Sequence, residues 1–78
     1  MRYYFNLREA GDYVVDEEGL DLPEVEAARL EAIKAARSLI SHEAITGTIP
    51  ISAIIEVRDG AGAIVFDLPF RDAVKLDG

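Results

Sequence analysis

Leu20-Asp21-Leu22-Pro23-Glu24-Val25-Glu26-Ala27-Ala28-Arg29-Leu30-Glu31-Ala32-Ile33 combines three helix-start signals. Asp21 is placed to cap the amide three residues on while Glu24 reaches back, Leu20 and Val25 stand at staple spacing, and Pro23 falls in a first turn where its missing N–H does no harm. From Leu22 to about Ala44 the residues are strong helix formers. Val25, Ala28, Ala32, Ile33, Ala36, Leu39 and Ile40 recur at the 3.6 period as one apolar stripe. The small Ala residues in that stripe suit close approach to a sheet, and Gly47 supplies a stop.

The flanking segments have β character. Arg2-Tyr3-Tyr4-Phe5-Asn6-Leu7-Arg8 is broken by Glu9-Ala10-Gly11-Asp12 and resumes as Tyr13-Val14-Val15, which predicts a hairpin. On the far side, Ile51 to Arg58 is β-branched and nearly continuous in hydrophobicity, as for a central strand. Asp59-Gly60-Ala61-Gly62 predicts a hairpin loop, and a last strand runs from Ala63 to Leu68 before Pro69. The order is ββαββ: an α+β fold, a four-stranded antiparallel sheet with one long helix packed on one face.

Pairing Arg8 with Tyr13 and Arg58 with Ala63 puts Phe5, Leu7, Val14, Ile55, Val57, Ile64 and Phe66 on the helix side. The other face then holds Tyr4, Tyr13, Val15, Ile54 and Val65, a candidate interaction surface because one helix cannot cover both faces. A three-residue loop in the second hairpin would flip the assignment.

Seventy-eight residues imply a single domain, residues 1–78, with a thin core. Residues 71–78 read as a short helical turn or a frayed end. The absence of Cys excludes disulfides, thiolate metal sites and a Cys nucleophile, and fits a reducing compartment. A formal charge of −7 opposes nucleic acid and anionic membrane through long-range repulsion. With no signal-peptide pattern and no apolar run of membrane-spanning length, a cytoplasmic location is expected.

Chemical signals are sparse. His42 is the only side chain that titrates near neutrality unperturbed, but Ser38 and Ser41 are not spaced to pair with it, so it reads as a solvated late-helix residue. Asp16-Glu17-Glu18-Gly19 with Asp21 and Glu24 has enough negative charge to attract a cation, yet lacks the EF-hand spacing and reads as a solvated turn. Gly60-Ala61-Gly62 joins two strands, with no helix or P-loop Lys to meet a phosphate. Arg29 falls within the apolar stripe, where its stem can lie on the core while the guanidinium reaches Glu18, Glu26 or a sheet-edge acid. No enzyme, cofactor or metal is expected. The expected partner is a protein, either another chain or a second copy in a homodimer.

Four segments resemble a family of small proteobacterial proteins known as a domain of unknown function: Met1 to Arg8, Asp16 to Gly19, Ala27 to Ala32, and the tail Leu68-Pro69-Phe70-Arg71-Asp72-Ala73-Val74. Pro69, Phe70, Arg71 and Asp72 form the most specific piece. In that family the position of Asn6 commonly carries His, so Asn6 departs from the pattern and counts against a shared catalytic or metal role there. A looser similarity, through Tyr3-Tyr4, Asp16 to Gly19, Glu26 to Ala28, Glu31-Ala32 and Gly47 to Pro50, is to the N-terminal domain of HicB-type antitoxins. That resemblance implies an inhibitor of a basic RNase toxin, which an acidic chain would meet by electrostatic steering.

Overall fold

The computed structural model describes residues 1–75. Strands β1 (Arg2–Glu9), β2 (Asp12–Val14) and β3 (Leu20–Asp21) precede helix α1 (Val25–Ala44). Strands β4 (Ile54–Asp59) and β5 (Ile64–Pro69) and a 3-10 turn (Phe70–Ala73) follow it. The sheet is antiparallel throughout, in the order β2-β1-β4-β5, with β3 also pairing β1. The α+β architecture is as expected, with β4 central between β1 and β5.

The first hairpin has the expected register, Arg8 opposite Tyr13. Its two-residue turn puts Ala10 and Gly11 both at positive φ (29° and 89°), a geometry whose twist matches that of the strands. The helix start differs from expectation. Asp21 does not cap α1: it lies in β3, opposite Arg2, whose guanidinium it meets at 2.9 Å. Leu22 extends this pairing by exchanging main-chain hydrogen bonds with Met1. The chain therefore turns into the helix only after Pro23, and Glu24 takes the N-cap position without a side-chain cap bond. Leu20 and Val25 form no buried staple, since both are exposed. Ile51 and Ser52 form a turn, so β4 begins three residues later than the pattern implied. Gly47, at φ 89°, ends the helix as expected, its N–H donating to Ala44 O at 3.0 Å.

The second hairpin resolves the question of loop length. Asp59 N–H donates to Ala63 O and Gly62 N–H to Asp59 O, enclosing the three residues Gly60, Ala61 and Gly62, with Gly62 at φ 85°. Arg58 accordingly faces Ile64 and not Ala63. A second irregularity follows at once: Val57 pairs with Phe66, leaving Val65 as an extra residue. Two successive shifts restore the parity. Ile64 leaves the helix side and is exposed, whereas Phe66 packs against the core as expected. Val14, also expected beneath the helix, is exposed because β2 lies at the sheet edge.

The core sits between α1 and β4, β5 and the 3-10 turn. Ala28, Ala32 and Ala36 are fully buried against Tyr3, Ala53, Ile55, Val57, Leu68, Phe70 and Ala73. Phe70, in the tail, is among the most deeply buried side chains, and its N–H donates to Ala53 O. Arg37 on α1 holds the end of the turn through Ala73 O at 2.6 Å. Arg71 and Asp72 are exposed. Arg29 behaves as its stripe position suggested: it reaches Glu26 at 3.8 Å, with its guanidinium 4.6 Å from the centre of the Phe66 ring, a cation–π distance. Among the described residues no helix is long and apolar enough to cross a membrane.

Among the described residues Gly19 is the one glycine with no room to grow. A Cβ there would stand 2.9 Å from Arg2 Cγ, Tyr3 O and Tyr4 Cε1, at a φ of +72°. Gly19→Ala is expected to lower stability by about 2 kcal/mol through strain and displacement of β1. Urea unfolding measures this, with Gly11→Ala, which meets no neighbouring atom, as the control for the positive-φ penalty alone. Equal losses in the two variants would refute the crowding argument.

Candidate functional site

The helix leaves one side of the sheet bare, and the alternation of β1 and β4 brings Tyr4, Asn6, Arg8, Ile54, Glu56 and Arg58 to that side through the pairs Tyr4–Arg58, Asn6–Glu56 and Arg8–Ile54. This outer face is more polar at its centre than the apolar cluster expected from the sequence. Asn6 and Glu56 are each only 4% exposed. Tyr13 crosses over them from β2, its hydroxyl donating to Glu56 Oε1 at 2.6 Å and accepting from Asn6 Nδ2 at 2.9 Å. Arg58 Nε donates to the same Glu56 oxygen at 2.6 Å. Arg8 approaches the other Glu56 oxygen at 3.9 Å and Asp67 at 3.1 Å.

Asn6 ties this group to the acidic turn, since its Oδ1 accepts the N–H of Asp16 at 2.8 Å. The Asp16 carboxylate in turn accepts N–H groups from Phe5, Glu18 and Gly19 at 3.1–3.2 Å. Its oxygens are thus occupied by the main chain, and it shapes the turn that interrupts the β2–β3 edge. Among the described residues every buried side-chain N and O has a partner, and no group of three His, Cys, Asp or Glu residues could hold a metal ion.

Both carboxylates are displaced in acidity. For Asp16, burial pulls the pKa up, but the N–H groups of Gly19, Phe5 and Glu18, aided by the charge of Arg2, outweigh it and hold the group below its ordinary value. For Glu56 the Tyr13 hydroxyl leads, and with Arg58 and Arg8 it overcomes burial, so this pKa is lowered too. A carboxylate more acidic when folded than unfolded contributes stability that is fully present above the unfolded pKa and is lost as pH falls through the folded one. The melting temperature is therefore expected to fall as pH drops below about 4.5. Asp16→Asn should flatten that slope, and an unchanged slope would remove Asp16 from the account.

Beside the network lies an open cleft of about 400 Å³ between the 15–17 segment and the 58–62 hairpin, lined by Tyr4, Asn6, Val15, Asp16, Glu17 and Arg58 among others. Of the expected interaction residues, Tyr4 and Val15 line this cleft and Tyr13 covers Glu56. Ile54 is half-buried and faces Arg8 and Pro69 in the ladders. Val65 does not join them; it packs against the core beside Phe66. The tail residues divide, Phe70 inside and Arg71 and Asp72 outside. His42, Ser38 and Ser41 lie exposed along α1.

The sequence reading did not anticipate Asn6 and Glu56 as buried partners. The available signal was one acid inside Ile54-Ile55-Glu56-Val57, with Arg58 two residues on and so on the same side.

A helix-backed antiparallel sheet with one bare face and a closed polar network at its centre defines a small α+β domain. The chain belongs to the family described as domain of unknown function (DUF6894), whose model matches residues 2–71. That match spans the sheet, the helix and the start of the 3-10 turn, and it carries no antitoxin assignment. No curated protein and no solved structure matches the chain.

Proposed function

We propose that the chain is a non-catalytic, cytoplasmic protein-interaction domain whose working surface is the bare sheet face and the strand edges that border it. The observation that supports this reading is the state of the outer face: its buried polar groups are all engaged with one another, leaving no free base beside a nucleophile, while Tyr4, Tyr13, Val15 and Ile54 surround them with apolar surface. A rigid polar centre with aromatic and aliphatic surroundings suits recognition, because orientation is set without ordering cost at the moment of binding. The neighbouring edge favours a basic partner. Residues 9–24 contain seven acids (Glu9, Asp12, Asp16, Glu17, Glu18, Asp21 and Glu24) and no Lys or Arg, so encounter would be accelerated at low salt.

Site-specific photo-cross-linking tests the surface. A photoreactive side chain at position 15 or 54, expressed in the native host, is expected to capture a defined protein, and one at Leu30 on the exposed side of α1 is not. Capture from Leu30 alone, or from none of the three, would overturn the reading.

A further inference from the structure

The two edges of the sheet are built differently. On one side β2 has three residues, the chain then leaves β1 for the acidic turn, and β3 returns for two more. On the other side β5 runs for six residues, Ile64–Pro69, with one bulge at Val65 and a regular stretch from Phe66 on, and no further strand lies beyond it among the described residues. Phe70 donates its N–H to Ala53 O, so the two-residue alternation turns the main chain of Leu68 and Phe66 towards β4 and that of Asp67 outward. An edge of this length usually carries a charged side chain to deter pairing. Asp67 is the only ionisable residue of β5, and Arg8 already neutralises it at 3.1 Å.

Charge separates the edges further. Residues 61–75 carry Asp67 and Asp72 against Arg71 and Lys75, a net charge of zero. A chain with a formal charge of −7 repels its own copy most strongly at the acidic β2–β3 side and least at β5. The occupant best suited to the neutral edge is thus a second copy, whose β5 offers the same outward main chain and the same apolar Ile64 and Phe66.

We propose that two chains join antiparallel through β5, about a two-fold axis near Phe66, into one continuous sheet that presents both bare faces on the same side. The pairing rests on the interaction-domain reading only in that self-association is one form of it. Ile64, which is 53% exposed on the bare side, and the half-buried Phe66 on the helix side supply apolar contact on the two faces of the join, and the main-chain groups around Asp67 supply the hydrogen bonds.

Light scattering over a concentration series, with circular dichroism as the check on folding, tests the pairing. The unmodified chain is expected to reach the mass of two chains. Ile64→Lys and Asp67→Pro, which respectively add an edge charge and remove the outward N–H, should each weaken the dimer at least about ten-fold while leaving the helical signal intact. Should Asp67→Pro fail to fold, Ile64→Lys carries the test alone, and the Asp67 amide in the unmodified chain should exchange faster with solvent on dilution. A dimer indifferent to Ile64→Lys but dissociated by Tyr4→Glu or Ile54→Glu would overturn the β5 assignment and leave the bare-face reading standing. A monomer at every concentration would overturn the pairing, while cross-links from positions 15 and 54 would still uphold docking of a different protein.

Discussion

Phe70→Ala is expected to remove a large share of the chain's folding stability and to lower its urea midpoint sharply. Burying a Phe this completely and then removing its ring costs about 3–5 kcal/mol, and a domain of this length has on the order of 4–12 kcal/mol to lose. The ring is 1% exposed and packs with Ala73, Ala53 and the Ala face of α1, a surface that cannot close over the hole because its side chains are already minimal. Arg71→Ala and Asp72→Ala touch exposed groups and should change stability by no more than about 0.5 kcal/mol. Urea unfolding of the three variants separates a folding role for the tail from a recognition role. A near-normal midpoint for Phe70→Ala would refute the packing argument, and a large loss in either neighbour would point to contacts beyond those described.

The second large effect falls on Glu56. Glu56→Ala removes the acceptor shared by Tyr13 and Arg58 and the more distant of the two carboxylates near Arg8, leaving Tyr13 with Asn6, Arg58 with Gly62 O and Arg8 with Asp67. A loss of about 2 kcal/mol is expected, below that of a fully buried broken pair because both guanidiniums reach solvent and keep other partners. Tyr13→Phe alone should cost about 1 kcal/mol. In a double-mutant cycle the two should couple by about 1 kcal/mol. Strict additivity would mean that the Tyr13 hydroxyl contributes nothing through Glu56.

The legible and illegible parts of the fold divide by the range of the interactions that fix them. The helix stripe, the Ala10-Gly11 turn and the Gly47 stop depend on neighbours within a few residues, and each stands where periodicity and turn chemistry put it. Asp21 departs from the expected cap although its local sequence suits one equally well. What pulls it into β3 is Arg2 and the main chain of Met1, about twenty residues away. Ile64 and Val65 changed sides because of two consecutive irregularities that no alternation pattern encodes. The candidate site fared similarly. Its location followed from parity, since Tyr4, Tyr13 and Ile54 all share the uncovered side with Asn6 and Glu56, but the network connecting Asn6, Tyr13 and Glu56 spans three strands and depends on their registers together.

The interruption of the β2–β3 edge by the turn around Asp16 also sets how far assembly can go. A sheet with two equivalent open edges can add subunits at both ends without limit, which is the geometry of a fibre. Here one margin is cut into pieces of three and two residues and bristles with carboxylates, so a pair joined as proposed at the opposite margin would have nowhere left to add a third member. In the proposed β5 pair growth would terminate at two, with the acidic turn as the stopper on the polymer.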